Sequence, residues 1–342
     1  MVDTDDKREK KLNGHRTPKI FASQLHPKIS SPTDTVTSDF STIINTEFMT
    51  SVRTEVPPDA RTAPYLGIER EGNAVAIGPD GLLLTVGYLL LESRTIRAVT
   101  KEGDWVPADY VGYDFESGFG LARAREPLNL TPIEFGESAK LATDAAVIVA
   151  AHGGENHWLN AKITGRREFA GYWEYLIENA IFTTPAHPNW SGAALIDSDG
   201  KLNGIGSLLV DDAVDTKNRK QGNMFVPIEL LTPILDDLLK NGRSQQPTRP
   251  WLGMFTAETQ TGLAIVHVTP GGPAQRSGIE VEDVILRINE EPIADLADMY
   301  RKIWRLGTAG TVIPMTLMRD TVGVEVTVKS SNRYDYFVTP RD

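Results

Sequence analysis

From Phe48 to about Lys220 the chain never holds a helical period for long. Short β-like runs alternate with turn residues, and that pattern constrains the fold more than any other feature. "AVAIGPDGLLLTV" reads as a strand, a Gly-Pro-Asp-Gly turn and a second strand. "TIRAVTKEGDWVPADYVGYD" alternates apolar and polar residues around a turn at Glu102-Gly103-Asp104. "AAVIVAA" and "GYWEYLIENAIFTT" read as further strands, and "AALIDSDGKLNGIGSLLV" as a hairpin closed by Asp199-Gly200. The run "GLLLTVGYLLL", Gly81 to Leu91, reads as a buried strand, because a bilayer span needs roughly 20 apolar residues. Many short strands with frequent turns predict a mainly β unit, a barrel or a sandwich.

The period then changes. "PIELLTPILDDLLKNG" places Ile228, Leu231, Leu235, Leu238 and Leu239 at helical spacing, with Pro227 at its start and Gly242 as a stop. Residues 243–249 form a polar, proline-bearing linker. A smaller unit follows, residues 250–331, with four strand-like runs and helical candidates at Pro273–Ser277 and Asp295–Arg305. Residues 332–342 read as a C-terminal tail, and residues 1–44, polar and of mixed charge, as a mobile N-terminal tail unable to bury enough surface to offset ordering. No apolar stretch follows the basic residues of that tail, so it does not read as a secretory leader, and the sequence as it stands reads as cytoplasmic.

Composition narrows the chemistry. The chain has 342 residues and a net charge of -11, which gives a nucleic-acid partner little electrostatic support. It has no cysteine, which excludes disulfides, thiolate metal sites and thiol catalysis. "HPNWSGAAL", residues 187–195, sets Ser191 in a Ser-Gly-small turn of the kind that can carry a nucleophile; the same dipeptide also serves as an ordinary tight turn. A serine hydroxyl needs a base. The β-rich region holds three histidines, His152, His157 and His187. His187 is four residues before Ser191 and reads as a loop residue before Pro188. His152, Glu155 and His157 match no standard metal-ligand spacing, so no metal and no cofactor are expected. No spacing supports a serine–lysine pair with Lys101, Lys140 or Lys162.

Five stretches in order carry a family likeness: "GNAVAIGPDGLLLT", "VGYDFESGFGLARA", "TTPAHPNWSGAALIDSDGKLNGI", "MFVPIELLTPILDDLLKNG", and "RPWLGM" with "VTPGGPAQRSGIEVEDVILRINEEPI". Across about residues 45 to 330 the chain resembles the HtrA/Deg family, in which a trypsin-like serine-protease domain of two β-barrels, here 45–242, precedes a PDZ domain, here 250–331. The resemblance also places Tyr88 at the position of the catalytic histidine, Gly118 at that of the aspartate, and Asn189 where the oxyanion loop carries glycine; Ser191 alone is retained. Tyrosine, with an unperturbed pKa of about 10, is a poor general base at neutral pH. Glycine orients nothing, and loss of a triad costs on the order of 10⁶ in turnover. Tyr88 either plugs the cleft over Ser191 or is an ordinary half-buried tyrosine. Asn189 is expected to hold an unusual backbone conformation that glycine tolerates best.

In the PDZ half, "WLGM" resembles the loop whose backbone N–H groups capture a C-terminal carboxylate, which makes Leu252, Gly253 and Met254 the candidate contacts. Ile265, Met299 and Ile303 are candidate pocket walls, or plain core. Glu282 and Glu290 stand at turn positions where the family has glycine. The leading expectation is a catalytically inactive family member that binds the C-termini of peptides or proteins. The alternatives are an active serine endopeptidase with a non-standard base, and a structural subunit of a larger assembly. The resemblance further implies a homo-oligomer, often a trimer, and a periplasmic setting.

Overall fold

The computed structural model describes residues 47–153, 157–214 and 219–338. The N-terminal tail reading lies outside them. Six antiparallel strands close a first barrel: β1 (Met49–Glu55), β2 (Glu69–Ala76), β3 (Leu82–Val86), β4 (Thr95–Val99), β5 (Trp105–Tyr113) and β6 (Phe119–Ala124), in the order β1-β2-β3-β6-β5-β4. Six more close a second: β7 (Ala146–Ala150), β8 (Trp158–Gly171), β9 (Tyr175–Thr184), β10 (Ala194–Ile196), β11 (Leu202–Val210) and β12 (Gly222–Pro227), in the order β10-β11-β12-β9-β8-β7. Closure removes every sheet edge, which short alternating strands favour.

Each barrel has its own apolar interior, with Leu83, Leu90 and Ala122 in the first and Val149, Ile163 and Phe225 in the second. A larger cluster lies between them, where Leu84, Phe119 and Leu121 meet Phe182, Ile205 and Met224. The cleft between two packed barrels is where the loops at their rims converge.

The PDZ unit has β13 (Met254–Thr259), β14 (Gly262–Val268), β15 (Val284–Ile288), β16 (Glu291–Pro292), β17 (Val312–Arg319) and β18 (Val322–Lys329), with β16 paired only to β15. Helices Pro273–Arg276 and Leu296–Arg305 fall within the two stretches read as helical candidates. The Asp295 side chain caps the second by accepting from the Asp298 N–H. Glu282 and Glu290 take the left-handed backbone, φ 78° and 66°, that the glycines of the family would adopt freely.

Three sequence expectations need correction. The run Gly81–Leu91 is a strand only to Val86; residues 87–89 turn into a 3-10 helix. The buried Arg70 guanidinium holds that turn by donating to the Tyr88 and Leu91 carbonyls. The segment "GYWEYLIENAIFTT" is not one strand. Residues 172–174 turn, and its first residue, Gly171, ends the 14-residue β8, which periodicity did not reveal. The predicted helix over 227–242 is a 3-10 turn at Ile228–Leu230 and an α-helix only at Leu235–Asn241. Pro233 in the middle lacks an N–H and crowds the carbonyl four residues back, so a continuous helix cannot pass it. The stop at Gly242 is as expected, with φ 76°.

Residues 332–338, read as the start of a tail, pack across the junction of the two domains. The Tyr334 hydroxyl donates to the Tyr113 carbonyl at 3.2 Å, and Tyr336 and Phe337 lie against Trp251.

Candidate active site and carboxylate-binding loop

Ser191 sits at the rim between the barrels, on the loop that enters β10. Strand β2 clamps that loop: the Asn73 N–H and side-chain amide both donate to the Ser191 carbonyl, at 2.8 and 2.9 Å. Gly192 follows at φ 74°, so close to the Asn73 carbonyl that an added Cβ would lie 2.0 Å from it; only glycine fits there.

Tyr88 projects from the 3-10 turn after β3 and donates its hydroxyl to Ser191 Oγ at 2.6 Å. Its ring joins Ala186, Trp190 and Leu209. Burial pushes the phenol above its ordinary range. At neutral pH the group is therefore a donor with no capacity to take the serine proton. The ring is half-buried, and with Asn189, Trp190 and Ser191 it lines a cleft that stays open between the barrels.

Gly118, which the family resemblance puts at the acid's position, has no open space beside it. Gly118 has φ 80°, and a Cβ there would stand 3.0 Å from the Tyr175 hydroxyl. Tyr175 donates to the Ser117 carbonyl at 2.7 Å, and the Tyr113 ring packs where a Cβ on Gly87 would be. The nearest carboxylate in sequence, Asp114, caps its own turn by accepting from the Ser117 N–H and hydroxyl, at 2.7 and 2.6 Å.

The other candidate bases lie elsewhere. His187 is buried. Its Nδ1 accepts from the Asn189 N–H at 3.0 Å, so its Nε2 carries the proton and donates to the His157 carbonyl at 3.0 Å. Burial lowers its pKa to about 4, which keeps the ring neutral. Lys101, Lys140 and Lys162 pair with Glu47, Glu137 and Asp144 on the surface. Glu155 lies outside the described residues, and among those described no three acidic or histidine side chains stand close enough to hold a metal ion.

Asn189 departs from expectation. Its φ is not positive, unlike that of Gly192. Its N–H, one of the two donors an oxyanion hole would draw on, is spent on His187 inside its own loop.

The PDZ loop contrasts with this. The Leu252, Gly253 and Met254 N–H groups converge on one carboxylate, but not one from a peptide C-terminus. That carboxylate is the side chain of Glu174, from the turn between β8 and β9. Its Oε2 lies 2.9 Å from the Leu252 nitrogen, and its Oε1 lies 2.7 and 3.2 Å from those of Gly253 and Met254. Burial raises the Glu174 carboxyl above its usual range, against the pull of the three amides and of Arg333. Ile265, Met299 and Ile303 are buried in the PDZ core together with Leu176 of β9.

Sequence reasoning missed Glu174, Tyr175 and Leu176 as site residues. The one available signal was Gly171, a turn former at the head of a segment read as strand.

The trypsin-like peptidase domain family matches residues 72–205, and the PDZ domain family matches 250–330. Two folded units of these kinds, in this order, with the serine loop between the barrels, decide the family. The chain is of the HtrA/Deg type. It is similar to a probable periplasmic serine endoprotease DegP-like of Chlamydia pneumoniae, 24% identical over 80% of this chain and 57% of that protein. It is also similar to the serine endoprotease DegS of Salmonella typhimurium, 31% identical over 38% of this chain and 39% of that one. The chain thus spans about half the length or less of these HtrA/Deg relatives. The solved HtrA-type protease AlgW with tripeptide shares the fold, with a TM-score of 0.51 at 20% identity, covering 86% of this chain and 98% of that one. Among the described residues no helix is long and apolar enough to cross a membrane.

Proposed function

We propose that this HtrA/Deg-type chain does not cleave peptide bonds and works instead as a module that binds the C-termini of peptides or proteins through its PDZ loop. The observation that carries the reading is the hydrogen bond from the Tyr88 hydroxyl to Ser191 Oγ, which puts a proton donor where the mechanism needs an acceptor. The Asn189 N–H turned onto His187 supports it, as does the filled space beside Gly118. Ser191 then serves the loop, accepting one hydrogen bond at Oγ and two at its carbonyl. Like the DegP-like relative, whose name calls it periplasmic, the chain is assigned here to an extracytoplasmic setting. A homo-oligomer belongs to the same proposal.

The test is incubation of the full chain and its Ser191→Ala variant with casein and, separately, with a fluorophosphonate probe. The expected result is no cleavage above the Ser191→Ala background and no labelling. Serine-dependent cleavage with covalent labelling of Ser191 would establish the active-endopeptidase alternative instead.

A further inference from the structure

We propose that the turn between β8 and β9 is a built-in ligand of the PDZ groove, so that the chain holds its own peptide site closed and yields it only to a C-terminus that displaces Glu174. The inference rests on the reading of the PDZ unit as a binder of C-terminal carboxylates.

The turn imitates such a ligand group by group. The Glu174 carboxylate takes all three N–H donors of the loop. Two residues earlier, the Tyr172 carbonyl accepts from the Thr256 N–H at 3.0 Å, and Thr256 is two residues beyond Met254 on β13. A two-residue step on both chains is the spacing of a strand added to a sheet edge. Just beyond the turn, Leu176 is buried in the same apolar cluster as the PDZ core, which anchors the hairpin to that unit.

The hairpin is held in place from the PDZ side. The Tyr300 hydroxyl donates to the Gly171 carbonyl at 2.7 Å and accepts from the Glu174 N–H at 3.1 Å. Glu174 itself sits at φ 58°, a conformation glutamate seldom adopts, which turns its side chain into the loop while the backbone continues into β9. Arg301 pairs with Glu168 further down β8.

An outside carboxylate and Glu174 cannot share three N–H groups, so the two compete. The apparent affinity for a peptide is its intrinsic affinity reduced by the fraction of molecules in which the turn is out. The turn belongs to the second barrel, so binding at the groove and the placement of that hairpin are linked, each biasing the other.

The test uses the full chain and its Glu174→Ala and Glu174→Gln variants, each confirmed folded by circular dichroism. The probes are fluorescein-labelled decapeptides with a free carboxylate and a terminal Val, Leu, Ile or Phe, and the same peptides amidated. We expect Glu174→Ala to bind free-carboxylate peptides at least tenfold more tightly than the parent, Glu174→Gln to fall between, and amidated peptides not to bind. Equal binding by parent and variants overturns the masking and leaves the PDZ reading standing. Should no protein bind any peptide, the PDZ reading fails, and amide hydrogen exchange then decides the masking alone. Gly253 and Met254 protected in the parent but exchanging at least tenfold faster in Glu174→Ala supports it; equal exchange overturns it.

Discussion

The loop at Ser191 and the loop at Leu252–Met254 each present polar groups, and in each case a side chain from elsewhere in the chain hydrogen-bonds to them: Tyr88 at Ser191 Oγ, and Glu174 at the three N–H groups. What they lack differs. On the function proposed above, Ser191 keeps its hydroxyl without the groups that would activate it: Tyr88 donates to it, Tyr175 crowds Gly118, and His187 holds the Asn189 N–H. Removing any one of these does not supply a base. At Leu252–Met254 all three donors are present and converge on one carboxylate, that of the internal Glu174. A site whose reactive groups have been replaced is shut by its composition, whereas a site filled by a displaceable side chain is shut by an equilibrium. On the proposed function, both loops keep their shapes while only the second keeps its chemistry.

Three perturbations sharpen this contrast. The largest effect is expected at the filled PDZ groove. Leu176→Ala removes a buried side chain shared between the second barrel and the PDZ core, and should lower unfolding stability by about 3 kcal/mol, read by urea denaturation. A loss near zero would mean that the hairpin tip does not dock as described.

The second perturbation probes the Ser191 loop through pH. The folded pKa of His187 is about 4, below its unfolded value near 6.5, so the unfolded chain binds the proton more readily between the two. Stability from this group is therefore present above about pH 6.5 and is lost as pH falls toward 4. Between pH 7 and pH 4.5 that loss is about 2 kcal/mol. His187→Asn should flatten this part of the curve; an unchanged slope would place the titration elsewhere.

The smallest effect belongs to Tyr88→Phe, which removes only the hydroxyl that meets Ser191. A stability loss of about 1 kcal/mol is expected, with casein cleavage still at background. Appearance of serine-dependent cleavage in this variant would show that the phenol was a removable block and not the sign of a missing base.

Much of this was legible in the residues. Period-two runs and the Glu102-Gly103-Asp104 and Asp199-Gly200 turns marked the strands of both barrels, because their apolar faces are set locally. Tyr88, Gly118 and the loop at Leu252 were singled out by the family resemblance of the stretches around them, not by periodicity. The rest depended on contacts distant in sequence. Glu174 and Gly253 are 79 residues apart, and nothing local distinguishes this glutamate from a polar residue on a strand. The backbone of Asn189 is decided by the His187 ring, and the break in the helix before Leu235 by Pro233, a local signal that apolar spacing outweighed.

The packing of residues 332–338 has a consequence for how the chain is made. The turn at Asp114–Gly118 belongs to the first barrel, yet the Tyr334 hydroxyl reaches the Tyr113 carbonyl across 221 residues, and the Phe115 ring lies against Tyr334 and Phe337. During synthesis the ribosome delivers both barrels and the whole PDZ unit before those partners emerge. The corner of the first barrel beside Gly118 thus waits for 221 further residues before it acquires its final neighbours.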